Sequence, residues 1–288
     1  MPPDGRRTVF VDFSTLPPDG SSGGAARFTL RLLAALSSRS DAHRYHVLTR
    51  RETAPALEPL RGSEVEIEVL GEAVSEPRFL RRRLRRMPRS LSRLVPDTAS
   101  LRRRGAEVLF SPLFTALFHE PGLPHLVIAY DFQELRFPRF FAKGELMRRH
   151  AFRRDLLRAD RVVAISSETK RDAVEKAGLE AERVRVVPPV VGPARIPLDE
   201  GDQARLLGSL RLTAGSYAAY PANYWPHKNH ERLLAALVRA RQRRPELSLV
   251  LCGALEAHRN WLIALARNCG LSEAVRVFPY LSDDEVTA

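Results

Sequence analysis

The feature that most constrains the fold is an alternation of short β-branched runs with amphipathic helical stretches along the chain. Residues 8–13 predict a first strand, and a loop rich in glycine and proline leads from it into a helix over about residues 25–38. This order is typical of a parallel sheet covered by helices on both faces. Further strands are predicted at residues 45–48, 65–70, 107–110, 125–130, 161–165, 183–187, 217–220, 247–251 and 275–278.

A break in this pattern predicts two domains. Turn residues accumulate in residues 188–193, and the hydrophobic periodicity lapses until about Gly215. We predict a first α/β domain over residues 1–200, a linker over residues 201–215 and a partial second α/β domain over residues 216–288. Three strands are few for a doubly wound sheet, and a helix capped at Ser282 has little room before the last residue. We therefore expect the second domain to be incomplete.

Composition excludes several classes of protein. Hydrophobic residues make up 44% of the chain and the charges are dispersed, which excludes global disorder. Cys252 and Cys269 are too few for a disulfide framework and lie in no metal-binding spacing. The sequence contains neither a signal peptide nor an apolar run near the roughly 20 residues of a membrane span. These observations predict a globular, cytoplasmic protein without a bound metal or other cofactor.

Much of the net charge of +12 lies in one arginine-rich segment. Such a segment fits either a solvated helical face or a contact with anionic lipid headgroups at the inner face of the membrane. Nucleic acid is not an expected partner, because no aromatic platform accompanies the charge. The segment comprises Arg81, Arg82, Arg83, Arg85, Arg86, Arg89, Arg93 and Arg102 to Arg104.

The first candidate site feature is the pair Gly23 and Gly24, between the first predicted strand and its helix. Glycines in this position let backbone N–H groups approach a phosphate, and the helix dipole favours the negative charge. The loop matches neither a dinucleotide-binding nor a P-loop motif, so a plain tight turn explains the pair equally well.

The second feature is the segment that begins at Tyr130 and Asp131, directly after an apolar strand. Residues at the carboxyl end of a strand in an open α/β sheet border the ligand crevice. Asp131 is therefore placed to orient a substrate hydroxyl, with Glu134 and Arg136 as further candidates. In the alternative interpretation, Asp131 merely caps the following turn.

The third feature is Lys228, in the loop before a predicted helix. A lysine at a helix N-terminus is poorly matched to the dipole, and a bound anion would compensate for this. Lys228 is therefore a candidate phosphate contact. Alternatively, Trp225 and Pro226 serve only packing and Lys228 is a solvated charge.

The stretch YPANYWPHKNHERLLAAL resembles the donor-domain opening of the retaining "group 1" (family 4-like) glycosyltransferases. Other segments follow in the family order: the Gly23-Gly24 loop, YDFQELRFPRFF, RADRVVAISSETKRD, VRVVPPVV, LVLCG and VFPYLSDDEV. The resemblance implies an α/β, GT-B-like fold of two Rossmann-like domains, the second incomplete. It also implies transfer of a sugar from a nucleotide-diphosphate sugar with retention at the anomeric carbon.

The same resemblance implies roles for individual residues. Asp131 and Lys228 are the candidate catalytic residues, since Asp131 would orient the acceptor and Lys228 would contact the donor diphosphate. Tyr130 stands where many relatives have histidine, and Asn223 lies near the position at which relatives often have an arginine. Acceptor-binding candidates are Tyr130, Asp131, Glu134 and Arg136, and donor-binding candidates are Gly23, Gly24, Asn223, Lys228, Gly253, Tyr280 and Leu281.

The resemblance also predicts what the chain acts on. Two glutamates that hold the donor in relatives would follow Ala288, so we expect little or no turnover from these 288 residues alone. The HKN loop favours mannose or a related hexose as donor sugar. The acceptor would be a glycan or a polyprenyl-linked glycan, for example in polysaccharide or O-antigen synthesis.

Two alternatives remain open at this point. A nucleotide-sugar epimerase or a phosphorylase shares the fold class, which by itself does not define the chemistry. An inactive or partner-completed protein that binds a nucleotide sugar or a glycan is the other alternative.

Overall fold

A computed structural model of the chain describes residues 5–16, 24–39, 43–70, 100–114, 116, 118–189, 199–253, 256–279, 281 and 285–286, with backbone only for 256 and 257. The chain divides into two compact units, Met1–Val190 and Val191–Ala288. Among the described residues, no helix is long and apolar enough to cross a membrane.

The first unit contains a seven-stranded parallel sheet in the order β3-β2-β1-β4-β5-β6-β7. Its strands are β1 Thr8–Asp12, β2 Arg44–Thr49, β3 Val65–Val69, β4 Val108–Ser111, β5 His125–Ala129, β6 Arg161–Ala164 and β7 Val184–Val186. The strand order reverses between β1 and β4, and such a switch point opens a crevice at the carboxyl ends of the strands. The loops after β1, β4 and β5 border this edge.

Helices cover the sheet of the first unit on both faces. Val9 and Val11 pack with Leu33 on one face of β1, whereas Phe10 between them packs with Leu109 on the other. This explains why the centre of β1, Val9 to Val11, is apolar towards both faces, as expected for a central parallel strand. The helices are α1 Gly24–Ser37, α2 Ala54–Leu57, α3 Gln133–Arg136, α4 Lys143–Arg158 and α5 Ser167–Glu175.

The second unit has a three-stranded parallel sheet in the order β10-β9-β8. Its core includes Leu234, Leu251 and Leu262. The strands are β8 Tyr217–Pro221, β9 Ser248–Cys252 and β10 Val275–Phe278, and the helices are α6 Glu200–Ser209, α7 His230–Arg241 and α8 Glu256–Asn268.

All ten strands predicted from the sequence are confirmed to within one or two residues at each end. Four helices were missed, namely the short α2 and α3 and the longer α4 and α6. The helix α4 buries only a narrow stripe that includes Phe152 and Leu156, so arginine obscures its periodicity. The helix α6 lies in the segment predicted to be a linker, where the Asp199 side chain caps it by accepting from the Asp202 N–H at 2.8 Å. The helix predicted to start at Ser282 lies largely outside the described residues.

Candidate functional site

The glycine loop after β1 is described only at its end. Gly24 is the first residue of α1, and a Cβ added there would meet no atom within 4 Å. Packing therefore does not demand glycine at this position. Gly23 lies outside the described residues, so its predicted phosphate contact stays a prediction.

Tyr130 joins three elements below the carboxyl edge of the first sheet. It is 8% exposed, and its hydroxyl donates to the Pro112 carbonyl at 2.8 Å and lies 2.9 Å from the Thr29 hydroxyl of α1. Burial raises the pKa of Tyr130 to about 12. The phenol therefore stays protonated and holds α1 and the loop after β4 in place, while its candidate contact with an acceptor remains a prediction.

Asp131 follows Tyr130 and is half-buried. Its Oδ1 accepts from Arg149 Nη1 at 2.7 Å and from the Gln133 N–H at 3.2 Å, which is the turn-capping bond considered for this residue. Its Oδ2 forms no hydrogen bond within the described part of the chain. Capping and substrate binding are therefore compatible, since each could use a different oxygen.

Arg149 of α4 is a residue of this site that sequence reasoning missed. Besides Asp131, its guanidinium contacts Glu134 at 3.0 Å and Glu145 at 2.9 Å, and it lies 4.6 Å from the centre of the Phe141 ring. Burial lowers the pKa of Arg149, but the neighbouring carboxylates outweigh this and leave that pKa raised. The only signal in the sequence is the i,i+4 spacing from Glu145, which is common on exposed helices.

The other two candidates after β5 are also engaged within the first unit. Glu134 is 7% exposed and pairs with Arg149. Arg136 forms a bidentate pair with Asp172 of α5, at 2.7 Å to each oxygen, and also contacts Glu168. These pairs fasten α3 to its neighbours, and the acceptor contacts predicted for Glu134 and Arg136 stay predictions.

In the second unit, Lys228 lies in a tightly folded loop between β8 and α7. The Lys228 N–H donates to the Trp225 carbonyl at 2.9 Å, and the Tyr220 hydroxyl donates to the Lys228 carbonyl at 3.2 Å. Asn229 then adopts a left-handed conformation with φ of 57° before the helix begins. The Lys228 side chain is exposed, and it makes no hydrogen bond or ion pair with the residues that the structure describes.

Gly253 and Asn223, both predicted to bind the donor, lie together at the edge of the second sheet. A Cβ on Gly253 would lie 2.5 Å from the Ala222 carbonyl oxygen and 2.8 Å from Asn223 Cα. Only glycine therefore allows the end of β9 to contact this loop so closely.

The third strand of the second unit is tied to the same loop. The hydroxyl of Tyr224, which is 2% exposed, donates to the Phe278 carbonyl at the end of β10. Leu281 is half-buried just beyond β10. Tyr280 lies outside the described residues, so its predicted role beside the nucleotide base stays a prediction.

Within the ranges described, no group of three or more His, Cys, Asp and Glu side chains is arranged to hold a metal ion.

Solved structures with similar folds include Anabaena Alr3699/HepE in complex with UDP and glucose, at a TM-score of 0.67 and 16% identity, covering 98% of this chain and 71% of that one. WaaG, a glycosyltransferase involved in lipopolysaccharide biosynthesis, matches at a TM-score of 0.62 and 16% identity, covering 97% of this chain and 72% of that one. UDP-N-acetylglucosamine 2-epimerase from Rickettsia bellii matches at a TM-score of 0.51 and 13% identity, covering 98% of this chain and 71% of that one. These likenesses show a GT-B-like α/β fold, which does not by itself separate a transferase from an epimerase.

Family models make that separation. The model described as Glycosyltransferase Family 4 matches residues 22–195, more than half of the chain, and the model described as Glycosyl transferases group 1 matches residues 213–288. A comparison with curated proteins returns no match. The chain thus belongs to glycosyltransferase family 4 and is a group 1 glycosyltransferase, which transfers a sugar from a nucleotide sugar.

Proposed function

We propose that this protein transfers a hexose, mannose being the first candidate, from a nucleoside-diphosphate sugar to a hydroxyl of a glycan or polyprenyl-linked acceptor, with retention at the anomeric carbon. The observation that carries the proposal is the exposed Lys228, which has no acidic partner among the described residues and lies beside the N-terminus of α7. A lone cation beside the positive end of a helix is the arrangement that a diphosphate would neutralise.

The chemistry of transfer gives Lys228 its role. As the bond between the sugar and the diphosphate breaks, negative charge builds on the leaving group and the sugar acquires oxocarbenium character. A preorganised cation stabilises that charge without reorganisation during the reaction. The contacts of Tyr220 and Trp225 with the Lys228 backbone restrict the loop and supply this preorganisation.

Asp131 takes the acceptor side of the proposal. Arg149 and the Gln133 N–H hold Oδ1, which leaves Oδ2 to accept a hydrogen bond from an acceptor hydroxyl. The carboxylate would orient that hydroxyl, whereas Arg149 and Glu134 would hold the carboxylate in position.

The finer choice of substrates rests on resemblance. The mannose assignment rests on the HKN loop, whereas a structure of Alr3699/HepE was solved with UDP-glucose, so UDP-sugars are the second candidates. WaaG is involved in lipopolysaccharide biosynthesis, which supports a lipid-linked or polysaccharide acceptor. We accordingly place the protein in the cytoplasm, in peripheral contact with the inner face of the membrane. The segment Arg81 to Arg93, which suggested that contact, lies outside the described residues.

A donor panel tests the proposal. The protein, together with any residues encoded after Ala288, is incubated with GDP-mannose, UDP-glucose or UDP-galactose and a polyprenyl-diphosphate-linked glycan, and products are identified by mass spectrometry and by NMR of the new anomeric centre. We expect one donor to be used with retention. Binding of a nucleotide sugar without transfer would favour the non-catalytic binding protein, and an inverted product would contradict the proposal.

A further inference from the structure

His230, the first residue of α7, is a buried imidazole that the proposed reaction does not use. It is 4% exposed, although the first turn of a helix is usually solvated. The Ala222 backbone hydrogen-bonds the ring, while Nε2 has no hydrogen-bond partner among the residues that the structure describes. A buried unpaired nitrogen is costly in a protein interior, so its presence requires an explanation.

The imidazole packs between two tyrosine rings. Its centroid lies 5.2 Å from that of Tyr220 and 5.4 Å from that of Tyr224. Each tyrosine hydroxyl is in turn bound to a backbone carbonyl, that of Lys228 for Tyr220 and that of Phe278 for Tyr224. The ring of His230 therefore lies at the centre of the contacts that join β8, the Lys228 loop and β10.

The surroundings favour a neutral imidazole. Burial lowers the pKa of His230, the hydrogen bond with Ala222 raises it, and the charge of Lys228 lowers it, with a lowered pKa as the net result. Lys228 is the charged group that acts on the ring, and the other titratable side chains against it are Tyr220 and Tyr224. A proton on His230 would also oppose the positive end of α7.

We propose that His230 is a positioning residue for Lys228: the neutral imidazole supports the loop from Ala222 to Asn229 and thereby sets where the Lys228 ammonium meets the donor diphosphate. This inference rests on the proposed function, because it assumes that Lys228 contacts the diphosphate. The ring need not touch the ligand, since it acts through the Ala222 backbone and through Tyr220, which binds the Lys228 carbonyl.

A double-mutant cycle tests whether His230 acts through Lys228. UDP and GDP binding are measured by calorimetry for the wild type, His230→Ala, Lys228→Ala and the double variant, using whichever nucleotide binds more tightly. We expect His230→Ala to weaken binding roughly tenfold in the wild-type chain and to have no further effect once Lys228 is alanine. Equal weakening in both backgrounds would overturn the inference.

Two further measurements keep the test decisive. Should His230→Ala unfold the second unit, His230→Phe fills the same space without the bond to Ala222 and replaces it in the cycle. In addition, as the pH is lowered below 6.5, affinity for the nucleotide should fall more steeply in the wild type than in His230→Phe. The reason is that only the wild type has an imidazole at this position that can be protonated. The nucleotide itself titrates in the same way in both experiments, so the difference between the two proteins reports on His230. Identical pH profiles of affinity for the wild type and His230→Phe would contradict the inference.

The cycle also separates this inference from the proposed function. If Lys228→Ala leaves binding unchanged, or if neither nucleotide binds, the proposed function fails and the inference fails with it. If Lys228→Ala weakens binding and both His230→Ala and His230→Phe do not, the role of Lys228 stands and the role of His230 alone is rejected.

Discussion

The two candidate sites of this protein hold their charged residues in opposite ways. After β5, Asp131, Glu134 and Arg136 are all engaged in ion pairs, with Arg149 and Asp172 as the main partners. In the second unit, the loop before α7 is held by backbone contacts and buried aromatic rings, and Lys228 keeps an exposed, unpaired side chain among the described residues.

This difference indicates which residues contribute to architecture and which are available to a ligand. A charge already satisfied within the protein loses a partner when it binds a substrate, whereas an unpaired cation gains one. We therefore expect substitutions in the paired region to affect stability first, and substitution of Lys228 to affect ligand binding first.

The largest effect on stability should come from Arg149→Met. The substitution leaves the carboxylate of Glu134, whose side chain is 6% exposed, without its partner. Breaking a buried pair in this way costs about 3–5 kcal/mol of unfolding free energy, measurable by urea denaturation. Adding Glu134→Gln should restore part of the loss, and a variant as stable as the wild type would show that the paired region is not structural.

Glu168→Gln is the matched control for that experiment. Glu168 contacts Arg136 in the same region, but its side chain is 48% exposed. Solvent-exposed pairs contribute little, so the urea midpoint should not change measurably. A large loss here would mean that exposure does not distinguish the two pairs.

A second effect of burial should appear as the pH is lowered. The Ser111 hydroxyl lies 2.9 Å from Nε2 of the buried His125, whose Nδ1 has no hydrogen-bond partner in the described part of the chain. Burial, reinforced by His119, lowers the pKa of His125 to about 4. The folded state thus favours the neutral ring, whose contribution to stability is complete above pH 6.5 and is lost as the pH falls from 6.5 towards about 4.

Converted to free energy, the lowering of the His125 pKa from 6.5 to about 4 corresponds to a contribution of about 3 kcal/mol to the unfolding free energy. His125→Gln keeps a polar side chain near Ser111 but cannot titrate. Its unfolding free energy, measured by urea denaturation at several pH values, should therefore fall less than that of the wild type over the same window. Parallel curves would exclude His125 as the source of acid sensitivity.

A smaller effect is expected from Gly253→Ala, which tests whether backbone contact holds the donor loop. The new methyl group would overlap the Ala222 carbonyl, at a cost of about 1–3 kcal/mol, and would displace Asn223. Gly208→Ala in α6 is the control, since its Cβ meets nothing within 4 Å and helix propensity predicts a gain of up to about 1 kcal/mol. Equal stability of the two variants, measured by thermal unfolding, would contradict the close contact.

The sequence predicted the strands well because they carry either a continuous apolar run, as in β5 and β9, or alternating apolar residues, as in β3 and β10. It missed α4, in which arginines outnumber the buried apolar residues, and α6, which begins within a stretch of turn residues. For the same reason Arg149 was not predicted as a site residue, because nothing local distinguishes it from the other arginines of its helix.

Sequence reasoning named candidate site residues but not the contacts between them. Lys228 was identified from its place before a helix, and Asn223 and Gly253 from the family resemblance. The structure brings Asn223 and Gly253 together. The pairing of Arg136 with Asp172 joins residues 36 positions apart, and the support of the loop by His230 depends on rings from two other segments. Such long-range contacts follow from the fold and have no signature in a short motif.

The most direct test of the central claim is the affinity of Lys228→Ala for a nucleoside diphosphate, measured by calorimetry beside uridine and guanosine. Lys143→Ala, which removes another exposed lysine, is the control. We predict that Lys228→Ala weakens UDP or GDP binding roughly ten- to a hundredfold, leaves nucleoside binding and thermal stability unchanged, and differs in this from Lys143→Ala. Unchanged diphosphate affinity in Lys228→Ala would contradict the assignment of this loop to the donor.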